Sequence, residues 1–261
     1  MIWRFLNTGL NTGKFNMQLD EQLARNFDFN SDSPIFRVYG WKPFTISLGF
    51  NQSESDFNIP KIFADGLDIV RRPTGGRAIF HAHELTYSVI MYMRDQGPRD
   101  IYHSINNALL RSLRMMNIDA HLSPENENFR KHYQSVNSIP CFSSSAKYEI
   151  QYQGKKIVGS AQRRFGRVIL QHGSFLLGTQ HRQLTHYLAD HIVDKMNIVE
   201  ESFTAITTEA ETILDRKVSF GESVEYIREG FQEEFNIRWE DIGSESVSQL
   251  IDGKVTANEK D

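Results

Sequence analysis

The stretch RRPTGGRAIFHAHELTYS, residues 71–88, joins a glycine turn to a dense series of polar side chains. LDIV before the turn and AIF after it are typical of strands, so Gly75-Gly76 predicts a turn between two strands. Glycines let backbone amides approach a ligand closely, and Arg71, Arg72 and Arg77 surround this turn with positive charge. A plain turn with solvated arginines is the alternative interpretation. The polar series that follows favours a binding site for a phosphate, a carboxylate or the pantetheine end of a carrier.

This glycine turn differs from the familiar nucleotide-binding patterns. No Gly-Lys-Ser or Gly-Lys-Thr follows it, so it is not a Walker loop, and the G-x-G-x-x-G spacing of a dinucleotide site is missing. His81 and His83 would share one face of a strand, as a metal-binding pair can. No acidic residue or third histidine stands at a recognisable ligand spacing. We therefore expect no metal and interpret His81 as a histidine that hydrogen-bonds beside the site.

Regular elements are predicted on both sides of this stretch. Residues 15–26 have apolar side chains at helical spacing and predict an amphipathic helix. Residues 34–41 and 44–50 predict two strands joined by a short turn, and residues 100–116 predict a helix with one apolar face. The chain after about residue 180 is predicted to be mainly helical. The pattern indicates one α+β domain with a mostly antiparallel or mixed sheet.

Composition narrows the class of protein. The 261 residues are 39% apolar and 24% charged, which is ordinary for a globular protein with a sizeable core. A net charge of -4 and a pI of about 6.1 argue against a general nucleic-acid binder. No run approaches the roughly 20 apolar residues of a membrane span, and the first residues lack the pattern of a signal peptide. We expect neither a nucleic-acid partner nor membrane insertion.

Cys141 is the only cysteine, and it lies in the stretch SIPCFSSSAKYEIQYQGKKIVGSAQ, residues 138–162. A single thiol forms no internal disulfide and no multi-cysteine metal site, and it suits a reducing cytosol. A lone cysteine is most often a small buried residue. Here it ends a polar loop before a lysine-bearing hairpin, so a thiolate nucleophile favoured by a nearby cation is the hypothesis. Adjacent strand residues point to opposite faces, so one of Lys155 and Lys156 should face the working side.

Taken in order, these motifs resemble one family, the catalytic domain of lipoate ligases, octanoyltransferases and biotin ligases. The resemblance covers most of the chain, from the helix NMQLDEQL through RRPTGGRAIFHAHELTYS and GKKIVGSAQRR to ILQHGSFLL. The sequence is most similar to the octanoyl-carrier-protein:protein octanoyltransferases of the lipoate-ligase-like branch. These have a cysteine before phenylalanine, then Tyr-Glu, then a lysine before Gly-Ser-Ala-Gln. Cys141-Phe142, Tyr148-Glu149 and Lys156 match that order, and Lys156 follows Cys141 by 15 residues (156 − 141).

The resemblance implies an α+β fold of the type found in class II aminoacyl-tRNA synthetases and biotin ligases. In this fold a mixed sheet has flanking helices, which we expect on one side, and a smaller sheet lies nearby. The implied organisation is a single octanoyltransferase or lipoate-ligase-type catalytic domain over residues 1–261, with a core at about 30–215 and C-terminal helices after it. We expect a monomer in the cytoplasm.

The resemblance also implies the reaction. Cys141 would attack the thioester of octanoyl acyl carrier protein and become an octanoyl thioester, while Lys156 would favour the thiolate and help proton movement. The acceptor would be a lysine of a lipoyl domain, such as that of glycine cleavage system H protein. Thioester exchange is nearly balanced in free energy, so neither ATP nor another cofactor is expected. The residues expected to bind substrate are Arg72, Thr74, Gly75, Gly76, His81, Tyr87, Ser88, Gly159, Ser160, Ala161, Gln162, His172 and Gly173.

Acidic carrier proteins would be attracted by a set of basic side chains near these motifs. The set consists of Arg71, Arg77, Arg163, Arg164 and Arg167. Three alternatives stay open. An ATP-dependent lipoate–protein ligase shares the glycine turn but needs no cysteine, and many such ligases have an extra C-terminal domain for which we expect no room here. The others are an amidotransferase that moves octanoyl groups between lipoyl domains and a degenerate carrier-binding protein without activity.

Overall fold

The computed structural model describes residues 1–30, 33–123, 149–196, 200–243 and 247. Within these ranges the chain forms strands β1 to β11 at Ile2–Asn11, Ile35–Trp41, Thr45–Leu48, Asp68–Arg71, Ile79–His81, Glu84–Tyr92, His121–Leu122, Ile150–Tyr152, Lys155–Phe165, Val168–Leu176 and Arg238–Asp241. Helices α1 to α7 span Gly13–Arg25, Ile59–Ala64, Pro98–Met115, Asp190–Met196, Glu200–Ile206, Ala210–Leu214 and Phe220–Phe235. Two 3-10 helices lie at Glu54–Asp56 and Thr179–Tyr187. None of the helices in the described ranges combines the length and apolar character needed to cross a membrane.

The strands form two sheets. The large sheet has eight strands in the order β11-β1-β2-β6-β10-β9-β8-β7, and the small sheet has three in the order β4-β3-β5. In the large sheet β1 runs parallel to β2 and to β11, while the other neighbours are antiparallel. The predicted α+β class, with a mixed sheet, flanking helices and a smaller sheet, is therefore confirmed.

Helices cover both faces of the large sheet, so the expectation of helices on one side is wrong. Side chains alternate along a strand, and Phe36 and Val38 of β2 pack in the core cluster that includes α3 and α7. Ile35 of the same strand instead packs with Leu19 and Leu23 of α1. Because each helix has one apolar stripe to bury, a strand with two buried faces needs a helix on each.

The helix predicted at residues 100–116 is observed as α3. Pro98 lies at its first turn, and the Asp100 carboxylate accepts a hydrogen bond from the Gly97 N–H at 3.0 Å. Its apolar face is buried as predicted, at Ile101, Ile105, Leu109, Leu110 and Leu113. The face packs against α7 so closely that a Cβ at Gly230 would lie 2.1 Å from Ser112 Oγ. Packing against α7 therefore stabilises the helix, and the hydrogen bond of Asp100 at its N-terminus adds to that stability.

Two features depart from the sequence-based expectations. The strands predicted at residues 34–41 and 44–50 lie in different sheets, since β2 pairs with β1 and β6 while β3 pairs with β4 and β5. The large sheet also includes β1 and β11, which lie outside the expected core at about 30–215. In the lysine-bearing hairpin the turn lies at Gln153-Gly154, with φ of 49° and 76° at these residues. This turn joins β8 to β9 and so positions Lys156.

Candidate active site

One face of the large sheet carries a ladder of polar side chains on the side covered by α1. Ser88 of β6 stands opposite Arg37 of β2 and opposite His172 of β10. One rung further along, Thr86 stands opposite Tyr39 and Ser174. Their β9 neighbours are small, with Ala161 opposite His172 and Gly159 opposite Ser174. The absence of bulk on β9 leaves open space beside the polar ladder.

That space is a cleft with an empty volume of about 540 Å³, including its open mouth. The large sheet, the small sheet and α1 all contribute to its wall. Its lining residues are Met17, Tyr39, Trp41, Ser47, Arg72, Gly76, Ile79, His81, Thr86, Glu149, Lys156, Gly159, Ser160, Ala161, His172, Gly173 and Ser174. The glycine turn and the lysine strand thus meet at one cleft.

Arg72 shapes the glycine turn from within the protein. Its buried guanidinium donates to the carbonyl oxygens of Ser47, Gly75 and Arg77 at 2.7–3.2 Å. The turn lies so close to the end of β3 that a Cβ at Gly49 would lie 1.9 Å from Gly76 O. Gly76 itself has φ of 92°, a region that glycine favours. Arg72 is therefore a residue that stabilises the backbone of the turn.

Lys156 is paired with a carboxylate in the cleft wall. Its Nζ lies 2.6 Å from Oε1 of Glu149, and both side chains are buried. Lys155 is less buried than Lys156, as strand alternation predicts for neighbouring residues. Burial penalises an ammonium ion, and a carboxylate in contact offsets that penalty. Cys141, the predicted nucleophile, lies outside the described residues.

Asp20 of α1 connects the polar ladder to the glycine turn. Its carboxylate accepts from Arg37 Nη1 at 2.6 Å, from Ser88 Oγ at 2.8 Å and from Tyr39 OH at 2.9 Å. Burial alone would raise the pKa of Asp20, but the charge of Arg37 and the hydrogen bond with His172 hold it below its ordinary value. Burial raises the pKa of Tyr39 well above its ordinary value, so its hydroxyl stays protonated and donates.

His172 extends this network to Thr74. Its Nδ1 lies 3.2 Å from Asp20 Oδ2, and its Nε2 lies 2.6 Å from Thr74 Oγ1. Burial lowers the pKa of His172 below its ordinary value in spite of the nearby carboxylate, so the imidazole is neutral near pH 7. With Asp20 ionised, Nδ1–H donates to the carboxylate, and Nε2 accepts from the Thr74 hydroxyl. The helix α1 therefore fixes a residue of the turn through one histidine.

A second network of the same kind links the two sheets. His81 of β5 places Nδ1 at 2.7 Å from Glu84 Oε1 and Nε2 at 2.7 Å from Ser47 Oγ. Burial raises the pKa of Glu84, but His81 and the hydroxyls of Thr86 and Ser174 outweigh it, so that the pKa lies below its ordinary value. Trp41 stacks on the His81 ring with centroids 4.0 Å apart. The other Glu84 oxygen, Oε2, is buried and has no hydrogen-bond partner among the described residues.

The predicted substrate-binding residues differ in where they lie relative to the cleft. Eight of them line the cleft, namely Arg72, Gly76, His81, Gly159, Ser160, Ala161, His172 and Gly173, and the predicted catalytic residue Lys156 lines it as well. Thr74 and Ser88 stand behind it, bonded to His172 and Asp20. Tyr87 packs on the opposite sheet face, where its hydroxyl contacts Ser160 Oγ at 2.7 Å, and Gln162 contacts Gln171. Gly75 is exposed at the tip of the turn.

Several cleft or network residues were missed by the sequence analysis. They are Met17, Asp20, Tyr39, Trp41, Ser47, Ile79, Thr86, Glu149 and Ser174. Alternation offered a signal for two of them, because Thr86 and Ser174 stand two residues from the polar Ser88 and His172 on the same strands. His83 lies 3.7 Å from Glu211 rather than beside His81. No group of three potential metal ligands occurs in the part of the chain that the structure describes.

Comparisons with known proteins show the family of the chain. The family profile described as Lipoyl protein ligase A/B catalytic domain matches residues 12–232. The chain is 36% identical to octanoyltransferase LipM of Lysinibacillus sphaericus, over 90% of this chain and 87% of that protein. It is 34% identical to octanoyltransferase LipM of Kyrpidia tusciae, over 99% and 92%.

Solved structures share the fold. A lipoate-protein ligase A bound with ATP superposes with a TM-score of 0.75 at 23% identity, over 98% of this chain and 95% of that one. The bipartite lipoate protein ligase of Thermoplasma acidophilum, from a structural study that includes its E2 lipoyl domain, gives a TM-score of 0.73 at 24% identity, over 99% and 95%. At these identities the superpositions establish the fold.

Proposed function

Since the chain belongs to the lipoyl protein ligase A/B catalytic-domain family, we propose that it is an octanoyltransferase of lipoate biosynthesis. It transfers an octanoyl group from the thioester of an acyl carrier protein to a lysine of a lipoyl domain. The similarity to proteins named octanoyltransferase supports the reaction, and the archaeal ligase studied with its lipoyl domain supports the class of acceptor. The proposal includes a monomeric enzyme in the cytoplasm.

The observation that carries this proposal is the buried pair of Lys156 and Glu149 in the wall of the cleft. An ammonium ion in such a place favours a thiolate close to it, because a cation stabilises the ionised form of a thiol. The lone Cys141 is the thiol that we propose for this role, with Lys156 as its cation. Gly76, Gly159 and Ala161 line the cleft without bulky side chains, which leaves room for a slender acyl chain.

The reaction then has two steps. The Cys141 thiolate attacks the thioester carbonyl of the donor, the bond to the carrier sulfur breaks, and the carrier leaves as a thiol after taking up a proton. The acceptor amine next attacks the octanoyl-cysteine thioester, an amide forms and the Cys141 sulfur leaves. Each step exchanges one acyl bond for another, so neither ATP nor a redox partner is needed. Covalent catalysis also lets two protein substrates visit one cleft in turn.

Exposed positive charge supports an acidic donor. Arg71, Arg164 and Arg167 are exposed, and Arg163 is braced by Pro73 O at 2.7 Å. Contacts between exposed arginines and an acidic carrier mainly raise the association rate, and salt weakens them. We therefore expect the apparent KM for octanoyl carrier protein to rise with ionic strength while kcat changes little.

Intact-protein mass spectrometry tests the function directly. The full-length protein is mixed with octanoyl carrier protein in the absence of ATP and of a lipoyl domain. We expect one octanoyl group on the parent, removable by hydroxylamine, and none on Cys141→Ala. Modification of the lipoyl domain only when ATP and free fatty acid are supplied would instead place the protein among the ligases.

A further inference from the structure

Transfer of the octanoyl group to lysine needs a base that neither Cys141 nor Lys156 supplies. The acceptor amine is an ammonium ion at neutral pH and must lose two protons to become an amide nitrogen. The departing Cys141 sulfur can take up one of them. The second must go to another group near the reacting atoms, and this requirement rests on the function proposed above.

Lys156 is poorly suited to take that proton. Its Nζ lies 2.6 Å from Glu149 Oε1 inside the protein, which favours the ammonium form. An ammonium nitrogen has no lone pair with which to accept a proton. His81 and His172 are the histidines among the described residues that line the cleft, and a ring nitrogen of imidazole can accept a proton.

The two histidines differ in how their free nitrogen reaches the cleft. Nε2 of His172 is covered by Thr74, which is buried and does not line the cleft. Nε2 of His81 contacts Ser47 Oγ at 2.7 Å, and both Ser47 and His81 line the cleft. Ser47 is buried as Thr74 is, but it belongs to the cleft wall, so its hydroxyl connects that wall with His81.

Three contacts favour proton transfer from Ser47 to His81. Arg72 Nη1 donates to Ser47 Oγ at 3.1 Å, so the serine directs its own hydrogen toward His81. Nδ1–H of His81 donates to Glu84 Oε1 at 2.7 Å, which leaves Nε2 as the acceptor. The carboxylate behind the ring stabilises an imidazolium once it forms, as in hydroxyl–imidazole–carboxylate relays of other enzymes. Glu84 Oε2 has no hydrogen-bond partner within the described ranges, so the carboxylate keeps capacity for added positive charge.

We propose that Ser47, His81 and Glu84 form the general-base relay for the acceptor lysine, and that this relay acts in the second step only. The acceptor ammonium gives a proton to Ser47 Oγ as Ser47 passes its own proton to His81 Nε2. The neutral amine then attacks the octanoyl-cysteine carbonyl, the C–N bond forms, and the C–S bond breaks with the second proton going to sulfur. His81 afterwards returns its proton to solvent, so protons and electrons balance.

The experiment separates the two steps with the full-length protein. The parent, Ser47→Ala and His81→Gln are first loaded from octanoyl carrier protein. The loaded proteins then react at pH 7 either with a lipoyl domain or with hydroxylamine, a nucleophile that is unprotonated at this pH. His121→Gln and Ser104→Ala, which replace the same residue types outside the cleft, serve as matched controls.

We expect both relay variants to load at the parental rate and to react with hydroxylamine at the parental rate. Transfer to the lipoyl lysine should slow by about 100-fold or more, the usual effect of losing a general base. Parental transfer to lysine would overturn the relay. If a variant slows equally with lysine and with hydroxylamine, or fails to load, the replaced residue maintains the structure of the cleft. Either result would also overturn the relay. Failure of the parent to load would count against the proposed function instead.

Discussion

Lys156 Nζ and Glu149 Oε1 lie 2.6 Å apart, and neither side chain has substantial contact with water. Glu149 directly precedes β8, while Lys156 is the second residue of β9, so one hairpin presents both charges to the cleft. A pair so deeply buried holds the lysine in a single position. It also makes the two residues energetically dependent on each other.

Removal of the carboxylate alone should therefore destabilise the protein. We expect Glu149→Gln to lower the free energy of unfolding by about 3 kcal/mol, because the buried ammonium ion loses the carboxylate in contact with it. Asp65→Asn, which breaks the exposed pair with Lys61, is the matched control and should leave stability unchanged within error. Denaturant titration measures both variants. An effect at Glu149 as small as that of the control would show that the buried pair carries no stability.

Lys156→Ala should leave the nucleophile present but mostly protonated. Activity at pH 7 should fall by about 100-fold or more, and part of it should return near pH 9, where a thiol ionises unaided. Lys156→Arg should resemble the alanine variant more than the parent, because a planar guanidinium is larger than the ammonium ion that is buried beside Glu149 and does not reproduce its position. Initial rates from pH 6 to pH 9 test this. An alanine variant whose profile merely scales the parent's at every pH would contradict the role of Lys156 in thiol ionisation.

Gly173→Ala should damage the cleft. A Cβ at this position would lie 2.5 Å from Gly159 O and 2.7 Å from Tyr87 Cε1, so β9 and β10 must separate to admit it. We expect a loss of about 1–3 kcal/mol in unfolding free energy together with a reduced kcat. Gly221→Ala is the control, since a Cβ there meets nothing within 4 Å and alanine favours a helix. Thermal unfolding of both variants would contradict this expectation if Gly173→Ala were as stable as the control.

His181 should make the protein less stable in mild acid. Burial lowers its pKa to about 4, while its hydrogen bond to Gly178 O acts in the opposite direction. The unfolded chain binds a proton at this residue near pH 6.5 and the folded chain does not, so stability is lost as the pH falls from about 6.5 to about 4. His181→Gln should remove up to about 3 kcal/mol of this pH dependence. The free energy of unfolding of parent and variant is measured from pH 4 to pH 7. If the two pH profiles are parallel, His181 does not cause the loss of stability in acid.

The sequence was informative where a local pattern has a local cause. The apolar spacing of Ile101, Ile105 and Leu109 predicted α3, since a helix must bury one stripe. Parity along a strand predicted that Lys155 and Lys156 face opposite ways. The glycine turn was predicted because two glycines and the flanking β-rich segments are adjacent in the chain.

The missed features depend on contacts between distant segments. Asp20 resembles an ordinary charged residue of an amphipathic helix, and only the fold brings it to Arg37 and His172. The short connection between β2 and β3 suggests neighbouring strands, yet β2 is enclosed by β1 and β6 and leaves no edge for β3. Strand β1 has an irregular pairing with β2 between Asn7 and Gly9, which obscures its alternation.

Because the polar ladder depends on the register of the strands, enzyme activity indicates whether the strands are correctly aligned. His172 and Ser174 face the cleft only because β10 is aligned with β6 as observed, with His172 opposite Ser88. A slip by one residue would turn both side chains toward the α3 core and bring Phe175 into the cleft. Such a species would place two polar side chains in an apolar core and would lose its acyl-binding surface in the same event. Titration of active sites in a preparation would therefore count the molecules whose sheet is correctly aligned, without any spectroscopic probe of folding.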